Sequence, residues 1–127
     1  MADFETLFSQ YDRLFLFDTE TTGLDYARDE IIEFAAVVVE NRNGVATIVR
    51  EYDELITLSP GNVVPPQIEA LTGISTEDIR QRGIPKAQLY RDIAEMLAGN
   101  TLLLAYNAHF DLSFLYTCCC ETATPAS

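Results

Sequence analysis

The sequence predicts an α/β fold in which helices flank one mixed sheet. Three observations lead to this prediction: an early run that is apolar on both faces, a β-branched stretch that leads to an Asn-Gly pair, and later segments with apolar residues at helical spacing. The 127 residues are enough for a single domain with one core.

The first three strands are predicted from composition and turn signals. Residues 14–17, LFLF, have the continuous apolar character of a strand buried in the middle of a sheet. Residues 31–40 are rich in β-branched side chains, and Asn43-Gly44 offers a tight turn before a third extended segment at residues 46–58. We therefore expect an antiparallel meander of three strands.

Two helices and a fourth strand are predicted next. Ser75 with Asp78 three positions later resembles a capping box, and Pro85 suits the first turn of a second helix. The second helix has four apolar residues at helical spacing: Leu89, Ile93, Met96 and Leu97. Residues 101–105 read as a short strand that is reached through a helix, so we expect it to run parallel to an earlier strand.

The last part of the chain predicts one more helix and then a change of character. The segment AYNAHFDLSFL opens a helix whose buried side carries Phe110, Phe114 and Leu115. The tail TCCCETATPAS has no amphipathic pattern. We therefore expect a domain over residues 1–117 and an irregular tail over residues 118–127.

The composition constrains partners and compartment. A net charge of -12 repels both nucleic acid and anionic lipid, so a polyanionic substrate would need a local positive group. The N-terminal residues lack the pattern of an export signal, and Glu33 interrupts the longest apolar stretch. The three cysteines are consecutive, at positions 118–120, without the spacing of a zinc site or a disulfide framework. These features predict a cytoplasmic protein with no membrane partner.

Two carboxylates stand close together at the end of the first strand. Side chains alternate across a strand, so Asp18 and Glu20 should point to the same face. At about 6 Å and an effective dielectric constant of about 20, their repulsion would be roughly 3 kcal/mol. Oxygen ligands favour a hard cation such as Mg²⁺ or Mn²⁺. The alternative is that Asp18 caps a turn and Glu20 is solvated.

Four motifs resemble one family. DTETTGL, IIEFAAVVV, IEALTGIS and AYNAHFD occur in that order and are similar to the motifs of the DnaQ-like (DEDD) 3′-to-5′ exonucleases, of the proofreading epsilon type. The resemblance spans residues 14–115. It implies a ribonuclease H-like sheet and a metal-dependent enzyme that hydrolyses phosphodiester bonds at the 3′ end of nucleic acid. DNA is the favoured substrate, and a polymerase subunit is a candidate partner.

The resemblance assigns the candidate catalytic residues. Asp18, Glu20 and Asp111 match three of the family's four metal-binding acids, which together bind two Mg²⁺ or Mn²⁺ ions about 4 Å apart. The position of Asp111 also has a physical basis, because a carboxylate is favourable in the first turn of a helix. For Asp111 the alternative is a helix-start residue with no further role.

The resemblance also assigns substrate contacts. Thr21, Thr22 and Gly23 would contact the terminal nucleotide, and Leu24 would lie against its base. Ordinary turn chemistry for the threonines and a core contact for Leu24 are equally compatible with the sequence. Asn107 matches a family position and is predicted to order the loop before the last helix.

Two further polar residues are interpreted as structural and not as functional. Glu33 is interpreted as an outward-facing strand residue, with proximity to the site as the alternative. His109 is close to Asp111 in sequence and invites the role of general base, but in the family that base belongs to a later motif. His109 is therefore interpreted as a solvated residue at a helix start.

The chain departs from the family pattern after Asp111. No histidine follows, Tyr116 has no aspartate downstream, and the only later acid is Glu121. The general base, the fourth acid, and the C-terminal strand and helix that carry them are thus expected to be missing, and the chain is expected to be weakly active or inactive alone. The alternative functions are a degenerate, non-catalytic binding module and an acidic interaction domain that binds no divalent metal.

Overall fold

The computed structural model describes residues 8–105, and within this range four strands and three helices have defined bounds. In chain order these are β1 (Arg13–Thr21), β2 (Ile31–Arg42), β3 (Val45–Leu55), α1 (Pro66–Thr72), α2 (Thr76–Arg82), α3 (Lys86–Met96) and β4 (Thr101–Ala105).

The four strands form one mixed sheet in the order β3-β2-β1-β4. The strand β2 is antiparallel to both of its neighbours, whereas β4 is parallel to β1. The predicted meander and the parallel fourth strand are therefore confirmed. β1 lies inside the sheet, with Phe17 paired to Ala36 on one side and to Ala105 on the other.

The strand boundaries differ from the sequence prediction at two places. β1 continues beyond Phe17 to Thr21, so the two neighbouring carboxylates lie within the strand. β3 ends at Leu55 instead of continuing to position 58, and Ile56 makes an isolated parallel bridge to Ile84. Between β2 and β3 the Asn43-Gly44 pair has positive φ at both residues, as a tight hairpin turn requires.

Helix α1 is an element that the sequence prediction missed. No helix is predicted before Ser75, but Pro66 is the first helical residue, where its missing N–H costs nothing. Gly73 ends the helix in the left-handed conformation. The capping box of α2 is confirmed, because Ser75 and Asp78 exchange side-chain and backbone hydrogen bonds.

The main core lies between α3 and one face of the sheet. Helix α3 contributes Leu89, Ile93 and Met96, and the strands contribute a set of large apolar side chains that includes Phe15, Phe17, Phe34 and Val38. On the opposite face, Leu16, Ala35 and Val37 line an open depression of about 460 Å³. No helix within residues 8–105 is both long enough and apolar enough to cross a bilayer.

Candidate metal and nucleotide site

The two neighbouring carboxylates lie on the face of the sheet opposite α3. Strand alternation places Asp18 and Glu20 on the same side as Leu16, at the edge of the open depression. In the antiparallel register, Asp18 is opposite Ala35 and Glu20 is opposite Glu33. The expectation that Asp18 and Glu20 share one face therefore agrees with the backbone of β1.

Glu33 is a neighbour of these carboxylates. Partial burial is the largest cause that raises its pKa from 4.5 to about 7, followed by a hydrogen bond with Asp53 and by the negative charges of Asp53, Glu20 and Asp18. Glu33 thus faces away from α3, as an outward-facing residue does, and also lies near the candidate site. Four carboxyl groups from three strands act on one another here.

Asp53 is a member of this group that sequence reasoning missed. It is 20 or more positions from the other carboxyl groups and lies in a segment with many acidic residues, so no local signal distinguishes it. Its place follows from the β2–β3 register, in which Asp53 is opposite Ala35, which is in turn opposite Asp18. To predict that Asp53 lies near Asp18, one must know the registers of both the β1–β2 and the β2–β3 pairs.

The donor set suits a hard divalent cation only in part. Carboxylate oxygens are the ligands that Mg²⁺ and Mn²⁺ prefer. A cation would also offset the negative charges of Asp53, Glu20 and Asp18, which add to burial in raising the pKa of Glu33. Within residues 8–105, however, no group of three or more His, Cys, Asp or Glu side chains is arranged to hold a metal ion. Asp111, the third ligand predicted from the sequence, lies outside the described residues.

A turn follows directly after Glu20, and its start is marked by an irregularity. The β1–β2 register shifts between Glu20 and Thr21, which is the signature of a β-bulge. We call residues 21–24 the β1 turn. Its first threonine is engaged within the turn, because the Thr21 hydroxyl donates to the Gly23 carbonyl oxygen at 2.7 Å.

Thr22 is bonded to the residues that lead into β2. Its N–H donates to the Glu30 carbonyl at 2.9 Å, and its Oγ1 accepts the Glu30 N–H at 3.0 Å. The Thr22 hydroxyl donates to Oδ1 of Asp29 at 3.0 Å. These bonds support the turn-forming alternative for the Thr22 side chain.

Asp29 also fills the space beside Gly23. Its Oδ2 accepts the N–H of Asp25 at 2.9 Å, which fixes the carboxylate in place. A Cβ atom at position 23 would lie 2.8 Å from the Asp29 Cγ and closer still to Oδ2. The close approach of Asp29 therefore favours glycine at position 23, because a larger residue would displace the Asp29 carboxylate.

Leu24 is held at the surface. Its side chain is 85% exposed, and that of Tyr26 is 53% exposed. The alternative of a core contact for Leu24 is therefore wrong. Its assignment as a base contact stays a prediction.

A buried carboxylate lies behind the β1 turn. Glu30 is 7% exposed, and its carboxylate accepts hydrogen bonds from four groups: Lys86 Nζ at 2.6 Å, Asn62 Nδ2 at 2.6 Å, Ser59 Oγ at 2.7 Å and Ser59 N–H at 3.0 Å. Burial alone would raise the pKa of Glu30, but these bonds, led by that of Lys86, outweigh it and lower the pKa to about 2. Sequence reasoning also missed this group, because its members are far apart in the chain.

The remaining residues singled out from the sequence lie outside the described range. These are Asn107, His109 and Asp111, together with Cys118, Cys119 and Cys120. Their predicted roles stay predictions.

Comparison with known proteins identifies relatives of one kind. A family model described as "Exonuclease" matches residues 15–121. The DNA polymerase III subunit epsilon of Treponema pallidum (strain Nichols) is 34% identical over 99 residues, covering 78% of this chain and 42% of that protein. The 3'-5' exonuclease DinG of Bacillus subtilis (strain 168) is 35% identical over 104 residues, covering 81% of this chain and 10% of that protein.

Solved structures agree on the fold. Exonuclease I from Methylocaldum szegediense superposes with a TM-score of 0.73 at 23% identity, covering 84% of this chain and 23% of that chain. E. coli exonuclease I in complex with a dT13 oligonucleotide superposes with a TM-score of 0.71 at 22% identity, covering 82% of this chain and 22% of that chain. At such identities the match shows a shared fold, the predicted ribonuclease H-like one. The chain spans less than half the length of the relatives named here.

Proposed function

The chain belongs to the exonuclease family, and we propose that it is a metal-dependent 3′-to-5′ exonuclease domain that acts on DNA. One observation supports this most directly. Asp18 and Glu20 lie on one face of β1, immediately before a turn that presents Leu24 to solvent. In this proposal the acidic ligands at the end of β1 are thus followed directly by the surface for the terminal nucleotide.

Each candidate residue has a defined part in this proposal. Asp18, Glu20 and Asp111 would hold Mg²⁺ or Mn²⁺, which when bound activates water and stabilises the leaving 3′ oxygen. The chain's own residues orient the substrate. Gly23 makes room for the Asp29 carboxylate that bonds to Thr22 and Asp25, and Leu24 offers an apolar surface to a base.

DNA is the proposed substrate because of the relatives. Two of them bear the names DNA polymerase III subunit epsilon and DNA polymerase III PolC-type, and the E. coli exonuclease I structure contains a dT13 oligonucleotide. These names also make a polymerase subunit a candidate partner. The net charge of -12 opposes DNA binding, so the proposal requires a metal ion at the carboxylates. The cytoplasmic location stays a prediction.

The test is hydrolysis of single-stranded DNA whose 3′ or 5′ end is blocked. We expect Mn²⁺-dependent release of nucleotides only from strands with a free 3′ end, and loss of this release in Asp18→Ala. General-base catalysis is worth about 10² to 10⁴ in rate, so a chain without the family's later histidine should hydrolyse slowly. Glu77→Ala, on the exposed face of α2, serves as the matched control.

Two results would count against the proposal. Equal release from strands with a blocked 3′ end would exclude a 3′-to-5′ enzyme. Metal and nucleotide binding without any hydrolysis over long incubation would favour the non-catalytic binding module. Robust, Asp18-dependent hydrolysis would instead contradict the expected slow rate and would direct attention to His109 as the base.

A further inference from the structure

We propose that the buried ion pair between Glu30 and Lys86 positions the β1 turn, residues 21–24, for the terminal nucleotide. This inference rests on the proposed function. Neither residue belongs to the candidate metal or nucleotide ligands. Their proposed role is indirect and acts through the backbone of Glu30, which is bonded to Thr22.

The connection begins at α3. Lys86 is the first residue of that helix, and its side chain is only 15% exposed. The same helix is fixed to the sheet by Leu89, which is fully buried in the main core. The ammonium group of Lys86 is therefore carried by a helix that is packed against the sheet. Its Nζ atom lies 2.6 Å from Oε1 of Glu30 and so fixes the position of the Glu30 carboxylate.

The Glu30 carboxylate is held in one orientation because both oxygens are engaged. Oε1 accepts from Lys86 and from Ser59, and Oε2 accepts from Asn62. A rotation of the side chain would break bonds on both oxygens. Hydrogen bonds to a charged group are among the stronger ones in proteins, so this anchor is directional as well as buried.

The anchor continues from the side chain of Glu30 to its backbone. The Glu30 N–H and C=O form a reciprocal pair of bonds with Thr22, at 3.0 and 2.9 Å. Thr22 is the second residue of the β1 turn and precedes Gly23 and Leu24. The position of the turn relative to β1 is thus tied to α3 through Glu30.

An ion pair suits this role better than an apolar contact. A buried pair adds little net stability compared with a well-packed apolar pair, but it fixes geometry through its bonds. The competing explanation is that the pair only holds the loop at residues 59–62 against the sheet. The two explanations differ in what happens to the Thr22 amide when the pair is removed.

The experiment compares three variants of the full chain with the wild type: Glu30→Gln, Lys86→Met and the double variant. The double variant removes both charges together, so it remains informative if a single variant fails to fold. The matched control is Glu77→Gln with Arg80→Met, which removes an exposed pair with a 3.8 Å separation on α2. The probes are thymidine monophosphate with Mn²⁺, Mn²⁺ alone, and amide hydrogen exchange followed by NMR.

We expect the double variant to lose protection at the Thr22 amide while the amides of the β1–β2 ladder keep theirs. Its affinity for thymidine monophosphate should fall about tenfold, which corresponds to about 1.4 kcal/mol. Its affinity for Mn²⁺ alone should stay unchanged, and the control should match the wild type in every measurement.

Three outcomes would overturn the inference. Wild-type protection of Thr22 and wild-type nucleotide affinity in the double variant would show that the ion pair does not position the turn. Faster amide hydrogen exchange throughout the β1–β2 ladder would show that the ion pair contributes to the overall stability of the chain and not to the position of the turn. Absence of nucleotide binding by the wild type itself would overturn both the inference and the proposed function, and so differs from the first two results.

Discussion

Glu33 on β2 lies directly opposite Glu20 on β1, so the sheet places two carboxyl groups side by side on its open face. Like charges opposite each other destabilise a strand pair. Burial is the largest cause of the raised pKa of Glu33, and the negative charges of Asp53, Glu20 and Asp18 add to it.

The first prediction concerns the pH dependence of stability at Glu33. Its pKa is about 7 in the folded chain against 4.5 in the unfolded chain. The protonated form of Glu33 therefore contributes to the free energy of unfolding, fully below pH 4.5, and this contribution is lost as the pH rises through 7. Glu33→Gln removes this loss. We expect its melting temperature to exceed that of the wild type by a few degrees at pH 8 and to match it at pH 4.

The control for this prediction is Glu69→Gln, an exposed residue of α1. It removes one negative charge and leaves the carboxyl groups around Glu33 unchanged. A gain at pH 8 of the same size in both variants would mean that reduced net charge, and not the neighbourhood of Glu33, is responsible.

The second prediction is that Mn²⁺ stabilises the chain through Asp18. A ligand at 100 times its dissociation constant stabilises the native state by about 2.7 kcal/mol. We expect a clear rise in melting temperature with Mn²⁺ over EDTA for the wild type and almost none for Asp18→Asn. Asp12→Asn, an exposed residue just before β1, removes the same charge and should keep the full rise. Equal rises in all three proteins would place the ion elsewhere on the acidic surface.

The third prediction concerns the buried Glu30. Its folded pKa of about 2 is below the ordinary 4.5, so its stabilisation is present above pH 4.5 and is lost as the pH falls through 2. We expect Glu30→Gln to lower the free energy of unfolding by about 3 kcal/mol at pH 7, because Lys86 is left without its carboxylate. Urea titrations should show the gap to the wild type narrowing steadily as the pH approaches 2. A gap that is constant with pH would contradict the assignment of the effect to the charge of Glu30.

The fourth prediction tests the close approach of Asp29 to Gly23. Gly23→Ala brings a methyl group against a carboxylate held by Thr22 and Asp25, and such overpacking costs about 1–3 kcal/mol. Adding Asp29→Ala removes the collision, so the double variant should lose less than the sum of the single losses by about 1 kcal/mol. Chemical denaturation of the four proteins measures this coupling. Additive losses would show that Asp29 moves aside freely.

The sequence predicts those parts of the fold that depend on neighbours in the chain. The Asn43-Gly44 turn and the Ser75 capping box are local arrangements, and both are confirmed. Helix α1 was missed, although proline is favourable at the first position of a helix, where Pro66 lies.

The candidate site is predictable only where it follows a single strand. Alternation along β1 is enough to place Asp18 and Glu20 on one face. The approach of Glu33 and Asp53 depends on the registers of two strand pairs. The contact between Glu30 and Lys86 joins residues 56 positions apart, and nothing local in either segment indicates it.

The register between β1 and β2 has a consequence for changes in chain length. Side chains alternate across β2, so deleting one residue near its start would exchange the two faces of the strand. Glu33 would then turn towards α3, and Phe34, which is fully buried, would face the open depression. At the other end of β2, the two-residue Asn43-Gly44 turn fixes the register with β3, so the length of the chain is constrained there as well. Each end of β2 thus sets the pairing with one neighbouring strand, and a change of length at either end shifts a register on which the open face depends.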